Sequence, residues 1–135
     1  MIKSINIGKE IVVKAKNKVG IMADIAKLLA DHGINVEGVA GYVQGDEASL
    51  MMVTSDNLRA SDAIKKKGYN VSEKEIIAVD LENKPGALKV LTAKLASVGI
   101  DMKYVYGTTC SEGCPARIIL STTDNEKAVV EARKK

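Results

Sequence analysis

A short turn of Asn-Lys-Pro-Gly, residues 83–86, stands directly before an apolar helical pattern. A helix that starts after such a turn has backbone N–H groups without partners in its first turn, and these groups favour an anion. Gly86 lets a ligand approach the backbone, Pro85 stiffens the turn, and Asn83 offers both a donor and an acceptor. The stretch therefore predicts a site for a small zwitterion whose carboxylate meets these N–H groups.

The ammonium group of such a zwitterion needs carbonyl or carboxylate partners. Asp101, at the start of the following strand, is a candidate, and Asn35 and Glu37 hold similar places earlier in the chain. An alternative is that the turn only begins and caps a helix. The turn is not a P-loop, because no Gly-Lys-Ser/Thr follows four intervening residues, and it is not a dinucleotide-binding fingerprint.

Nearly the same stretch occurs twice, because residues 16–35 repeat residues 82–101 at an offset of 66 positions. Two additional residues in the second copy then bring 48–57 onto 116–125. Agreement over this length indicates a duplication. The chain is therefore interpreted as two copies of one module, each too small to be very stable alone.

Each copy predicts the order strand, helix, strand, strand, helix. Apolar residues recur with helical spacing at Ile21, Ile25, Leu28 and Leu29 and at Leu88, Leu91, Leu95 and Val98. Strands are predicted at 10–15, 34–43, 48–54, 69–74, 75–81, 100–109 and 116–122. The predicted fold class is α+β, with two ferredoxin-like βαββαβ modules that have antiparallel sheets and helices on one face.

The ends of the helices carry recognisable signals. Gly33 and Gly99 supply the left-handed residue that stops a helix. A second helix is predicted from about Asp56, and its copy from about Asp124, where Thr123 and Glu126 have the spacing of a capping box.

The second copy stops after its last helix, without a final strand, whereas the chain begins with a surplus strand-like segment. Because folded proteins avoid unpaired sheet edges, residues 1–7 are predicted to add as the missing edge strand of the second module. The alternative is a frayed N-terminal extension. The predicted domains are accordingly 8–74 and 75–135.

Cys110 and Cys114 flank Ser-Glu-Gly at the tip of the second predicted hairpin, where they would face one another at a distance suited to a disulfide. Three interpretations stay open: reduced thiols without a role, a redox-responsive disulfide, and a metal site. No metal site is assigned, because two thiolates alone rarely make a closed site and the single histidine, His32, lies on the first helix.

Several classes of function are not expected. No Ser/His/Asp arrangement or pair of buried carboxylates indicates an enzyme, and no cofactor is expected. The net charge of +3 is only a weak indication of nucleic-acid binding, and an aromatic content of 3% offers few of the stacking platforms that single-strand binders use, so nucleic-acid binding is not expected. No apolar stretch approaches the roughly 20 residues of a membrane span, and the cysteine usage fits a cytoplasmic protein.

The pattern strand, ENKPGAL, helix, SVGIDM, present twice from about Glu10 onwards, resembles a tandem of ACT domains. The first copy, KNKVGIM, has Val19 where Pro is usual. The resemblance implies ferredoxin-like regulatory modules that bind amino acids or related metabolites between the strand–helix loop of one copy and a neighbouring copy. It also implies a non-catalytic role, with a metabolic enzyme as a partner. The family includes members in which a strand from a distant part of the chain completes the sheet of one module.

Carried over by motif, the resemblance places the ligand in the two strand–helix loops and at the starts of the strands that follow the helices. The implied ligand-binding residues are Asn17, Lys18, Val19, Gly20, Ile21, Met22, Ile34, Asn35 and Val36 in the first copy and Asn83, Lys84, Pro85, Gly86, Ala87, Leu88, Ile100, Asp101 and Met102 in the second.

Two further expectations concern partners. The strands at 10–13 and 75–79 are apolar on both faces, so a homodimer is expected to cover one face. The alternative functions are a redox- or metal-responsive module that acts through Cys110 and Cys114, or a ligand-free docking subunit of a metabolic enzyme.

Overall fold

The computed structural model describes residues 1–109 and 113–135. Six strands and four helices lie in these two ranges, and the fold is α+β, as the sequence predicts. In chain order the elements are β1 (Ile2–Lys16), α1 (Ile21–Asp31), β2 (Val36–Gln44), β3 (Glu47–Thr54), α2 (Asn57–Lys66), β4 (Asn70–Leu81), α3 (Ala87–Ser97), β5 (Met102–Thr108), β6 (Ala116–Thr122) and α4 (Asn125–Arg133). Among the described residues, no helix is long and apolar enough to cross a membrane.

The chain divides into two compact units. One unit comprises residues 9–74, and the other comprises residues 1–8 together with 75–135. Strands β1 and β4 each contribute residues to both units, because both strands run past a boundary between them.

The unit of residues 9–74 has the strand order β2-β3-β1-β4. Strand β3 pairs antiparallel with both β1 and β2, and its register places Met52 opposite Ile11 and Val39. The core beneath this sheet is built from aliphatic side chains of strands and helices, including the fully buried Ile25 and Ile64. This order is the ferredoxin-like one that a βαββαβ unit adopts.

The other unit has the strand order β1-β4-β6-β5, with antiparallel pairing of β4 with β6 and of β5 with β6. Its core contains Leu91 and Leu95 of α3 together with Ile77 and Leu120. Ile5 of β1 belongs to the same core and is 4% exposed. The N-terminal strand thus packs with residues that follow it by more than 70 positions in sequence.

Two of the predicted breaks between strands are wrong, and the predicted strands 34–43 and 100–109 begin only at Val36 and Met102. Segments 2–7 and 10–15 form the single strand β1, and segments 69–74 and 75–81 form the single strand β4. The physical reason is that no turn residue interrupts either segment. Gly8, the only glycine in β1, does not have the positive φ that a turn would use.

The helices α2 and α4 begin directly after their N-cap residues Asp56 and Asp124, close to where they are predicted, but two details of the helix starts differ from the sequence pattern. Leu88, predicted on the apolar stripe of α3, is 51% exposed, and Ala87 occupies the buried position that leads to Leu91. The capping box at α4 is wrong as well, because the carboxylate of Asp124 accepts the backbone N–H of Lys127 at 3.0 Å. Thr123 instead accepts from the N–H of Asp101 at 3.2 Å.

Candidate ligand-binding site

The first strand–helix loop follows β1 and ends at a glycine in the left-handed conformation. Gly20 has a φ of 89° and is the N-cap residue of α1. No side chain among the described residues caps this helix, so the N–H groups of its first turn have no side-chain acceptor. Val19, the residue in place of proline, is fully exposed. The loop therefore presents backbone donors at a helix end that favours negative charge.

A cavity of about 360 Å³ borders this loop within the unit of residues 9–74. Three of the residues expected to bind the ligand line it, namely Asn17, Ile21 and Met22. The remaining lining comes from β2 and β3: Val39, Gly41, Tyr42, Val43, Ala48 and Leu50. None of the lining residues carries a charge. The cavity lies between the N-terminal end of α1, which has no side-chain cap, and a largely apolar wall formed by β2 and β3.

The wall of the cavity is one face of the strand β2. Val39, Gly41 and Val43 lie on that face, because residues two apart in a strand point to the same side. Val39 and Val43 are 48% and 52% exposed. Gly41 lies between them, where an added Cβ would stand 2.8 Å from Leu50 Cδ2. The side chain of Leu50 therefore occupies the space beside Gly41, between the two valines.

Sequence reasoning missed the six lining residues on β2 and β3. The available signal was the alternation of Val39, Gly41 and Val43, in which one face of a strand carries two valines around a glycine. That alternation predicts a strand but does not say which helix end lies beside it.

The other predicted residues of the first copy do not line the cavity. Ile34 is 5% exposed in the core, and Val36 packs against the same core. Asn35 donates its backbone N–H to Ser55 Oγ at 2.9 Å. Lys18 lies near Asp24, with Nζ 3.6 Å from Oδ2. The start of β2 therefore supports the fold, and the middle of β2 forms the cavity.

The second strand–helix loop has the same backbone geometry as the first. Gly86 has a φ of 91° and is the N-cap residue of α3, again without a side-chain cap among the described residues. Pro85 is exposed, as predicted for a turn, and Ala87 is 3% exposed in the core. The loop therefore has the same shape in both copies, and in each a glycine is the N-cap residue of the helix that follows.

The surroundings of the second loop are charged. Asn83 and Lys84 line a smaller cavity of about 190 Å³, together with Lys3, Glu82, Gly113, Cys114 and Pro115. The ammonium of Lys84 lies 2.8 Å from Glu82 Oε2. Hydrogen bonds from Lys84 and then from the N-terminal ammonium lower the pKa of the Glu82 carboxyl. This cavity suits polar or charged contacts rather than an apolar side chain.

Met1 lies against the second loop. Its carbonyl oxygen accepts the backbone N–H of Glu82 at 2.8 Å, and its Cε is 3.6 Å from the place that a Cβ on Gly86 would take. At Gly20 an added Cβ would meet nothing within 4 Å. The first loop is therefore open at its glycine, whereas the second has a neighbouring side chain there.

The remaining predicted residues of the second copy lie outside the smaller cavity. Ile100 is 7% exposed in the core, and Met102 packs against that core. The backbone of Asp101 exchanges hydrogen bonds with Thr123. The suggested pairing of Asp101 with a ligand ammonium stays a prediction.

Two other features of the sequence have different outcomes. His32 Nδ1 lies 2.8 Å from the carbonyl oxygen of Leu28, so this nitrogen donates to the end of α1.

Cys110 lies outside the described residues, and Cys114 is disulfide-bonded. The described residues contain no group of three or more His, Cys, Asp or Glu side chains that could hold a metal ion.

Residues 9–67 match the family model of the ACT domain. This stretch of the chain is therefore similar to an ACT domain. The cavity of about 360 Å³ lies within this stretch, and the loop that borders it is the strand–helix loop of the matched residues. No curated protein matches the sequence.

Two solved structures show how far the similarity in fold extends beyond the ACT domain. Protein BT0572 from Bacteroides thetaiotaomicron is similar with a TM-score of 0.86 at 21% identity, over 94% of this chain and 87% of that one. The ligand-free regulatory subunit of aspartate kinase from Thermus thermophilus has a TM-score of 0.67 at 16% identity, over 98% and 97%. At these identities the similarity establishes the fold.

Proposed function

We propose that this protein is a non-catalytic regulatory protein that binds an amino acid or a related small metabolite. The observation that carries the proposal is the cavity of about 360 Å³ beside the strand–helix loop of the ACT domain. Its volume falls in the range of small-molecule sites, which are concave and mostly apolar with a few polar groups.

The polar groups at this cavity fit the two charges of an amino acid. The N–H of Ile21 donates to the carbonyl oxygen of Lys18 at 3.4 Å, and the N–H groups of the next residues of α1 are offered to the ligand carboxylate. The side chain of Asn17 lines the cavity, and its carbonyl oxygen is an acceptor for the ligand ammonium. Gly20 carries no Cβ that would shield the N–H groups. The ligand side chain then points towards β2.

The second unit is part of the proposal as a second ACT domain, completed by the N-terminal strand. Its strand order is that of a ferredoxin-like module, with β1 at one edge. Arg133 of α4 supports β1 by donating to the carbonyl oxygen of Ile5 at 2.9 Å. The similarity in fold to a regulatory subunit of aspartate kinase over 98% of this chain supports a tandem arrangement with a regulatory role.

Regulation would follow from linkage between the ligand and a partner. A ligand that favours one conformation strengthens or weakens any partner that prefers that conformation. A metabolic enzyme is the proposed partner, and a cytoplasmic homodimer is the proposed assembly. Closure of the ligand site by a neighbouring ACT module, which the resemblance implies, stays a prediction.

The test is a thermal-shift screen of the full chain against the twenty amino acids, followed by calorimetry on those that raise the melting temperature. A ligand that binds only the folded state raises the melting temperature with concentration. If no amino acid binds below millimolar concentration, the proposal is wrong.

Two matched variants tell which loop binds the ligand. Gly20→Val and Gly86→Val introduce the same side chain at nearly the same positive φ, so both suffer similar backbone strain. We expect Gly20→Val to lose binding. Equal affinities for Gly20→Val and the wild type would exclude the first loop as the site.

A redox-responsive role is the second candidate function. Cys114 is disulfide-bonded and lines the smaller cavity next to Asn83 and Lys84, so a change at this sulfur would reach the second loop. Thiol titration with and without reductant, with the melting temperature recorded in both states, tests this role. An unchanged melting temperature after full reduction would argue against it.

A further inference from the structure

We infer that the cavity of the ACT domain selects amino acids with an uncharged, apolar side chain of the leucine or methionine type. The inference rests on the proposed function, because it assumes that an amino acid is the ligand. It concerns the part of the cavity that faces the ligand side chain. That part is lined by Met22, Val39, Val43 and Leu50, with Gly41 between the two valines on β2.

The walls of the cavity offer no partner to a charged ligand side chain. Every lining residue is neutral, and most are aliphatic. A charge moved from water into such a place loses hydration without gaining an ion pair, which is costly. An apolar side chain in the same place gains by leaving water.

Two lysines near the loop make contacts of their own. Lys18 Nζ is 3.6 Å from Asp24 Oδ2 and lies 6.0 Å from the centre of the Tyr69 ring. Lys14 Nζ is 3.7 Å from Glu47 Oε1. These contacts are on the surface and none of these side chains lines the cavity. The cavity therefore keeps its neutral character in the folded protein.

The second loop shows what a site for a charged ligand would look like in the same fold. Its cavity of about 190 Å³ is lined by Lys3, Glu82 and Lys84. The two loops have the same backbone geometry but different neighbouring side chains. We therefore attribute the ligand selectivity to the side chains around the loop and not to the loop itself.

The expected selectivity follows from the transfer of apolar groups. Each buried CH₂ group strengthens binding by roughly fourfold, so leucine should bind about 50-fold more tightly than alanine. Asparagine and aspartate branch at the same carbon as leucine and have a similar shape. Both should bind at least about 50-fold more weakly than leucine, because Met22, Val39 and Val43 offer no hydrogen-bonding partner to their polar atoms.

The experiment is calorimetry of the full chain with leucine, methionine, alanine, asparagine, aspartate and lysine, on the wild type and on matched variants. Val39→Asp places a carboxylate in the apolar wall. Val105→Asp is its control, because Val105 lies 66 positions later on β5 and is 49% exposed, against 48% for Val39. Val43→Asp is a second variant in the wall, should Val39→Asp fail to fold.

The inference predicts that leucine and methionine bind best, that Val39→Asp or Val43→Asp abolishes their binding, and that Val105→Asp retains it. Lysine or aspartate binding as tightly as leucine would overturn the inference and leave the proposed function intact. Loss of leucine binding in Val105→Asp would also overturn it.

Absence of binding by every amino acid would overturn both the inference and the proposed function. If leucine has no effect and Val39→Asp turns a dimer into a monomer, the wall is a self-association surface and the inference is wrong.

Discussion

The carbonyl oxygen of Met1 accepts the backbone N–H of Glu82 at 2.8 Å, so the first residue of the chain lies at the strand–helix loop of the second copy. This hydrogen bond joins residues 81 positions apart. It belongs to a unit in which residues 1–8 pack with residues 75–135. In the first copy nothing lies within 4 Å of the place that a Cβ on the loop glycine, Gly20, would take, and the two repeated loops therefore have different surroundings.

The core position of Ile5 predicts that the N-terminal strand stabilises the protein. Ile5 is 4% exposed, whereas Ile7 on the same strand is 43% exposed. Ile5→Ala should lower the free energy of unfolding by about 2–5 kcal/mol, because it leaves a cavity in a packed core. Ile7→Ala should change it by about 0.5 kcal/mol or less. Urea denaturation measures both, and equal small effects would show that the strand does not contribute to the core.

The ion pair of Asp80 predicts a stability that depends on pH. Arg117 donates Nε and Nη2 to the two carboxylate oxygens at 2.9 and 3.0 Å, and this hydrogen bonding lowers the pKa of Asp80. A lowered pKa in the folded state gives stability that is fully present above the unfolded value of about 3.9 and is lost as the pH falls through the folded pKa.

Asp80→Asn should therefore cost about 0.5–1 kcal/mol at neutral pH and progressively less at acidic pH. Urea denaturation between pH 2 and 7 measures the difference from the wild type. Asp62→Asn, at an exposed position of α2, is the control for the loss of one negative charge. A difference at Asp80 that does not change with pH would contradict the assignment to this ion pair.

Gly41 and Gly107 hold equivalent positions in the two copies, but their substitution by alanine should lower the stability of the protein by unequal amounts. A Cβ on Gly107 would stand 2.5 Å from the backbone oxygen of Arg117 and 3.1 Å from Ile118 Cα. A Cβ on Gly41 would meet the flexible end of Leu50 at 2.8 Å. Gly107→Ala should therefore cost about 1–3 kcal/mol, and Gly41→Ala less, because a side chain moves more easily than a backbone. Thermal unfolding of the two variants decides, and a larger loss at Gly41 would contradict the prediction.

The start of α4 predicts which residue caps it. Asp124 accepts the backbone N–H of Lys127, and Asp56 makes the same contact with Arg59 at the start of α2. Asp124→Ala should cost about 1 kcal/mol. Glu126→Ala should stay within about 0.5 kcal/mol, because Glu126 does not close a capping box. Urea denaturation measures both losses of stability. A larger loss for Glu126→Ala than for Asp124→Ala would contradict this prediction and support the capping box.

Much of the fold could be predicted from local sequence. The offset of 66 positions predicts two copies, the apolar spacing around Ile25 and Leu91 predicts α1 and α3, and the glycines at 33 and 99 have the positive φ expected at helix ends. The two-residue turn after Gln44 also lies where its Gly-Asp sequence indicates. These features depend on residues a few positions apart, so local preferences are sufficient to specify them.

The candidate site could be predicted only in part. The sequence by itself determined the order of the elements and the glycine loops at Gly20 and Gly86, and it predicted two copies of one module. Only the tertiary structure decided that Val39 and Val43 stand beside the first loop and that Met1 and Glu82 stand beside the second. The physical reason is that a loop's backbone shape follows from its own residues, whereas its surroundings come from strands brought near by packing of the core.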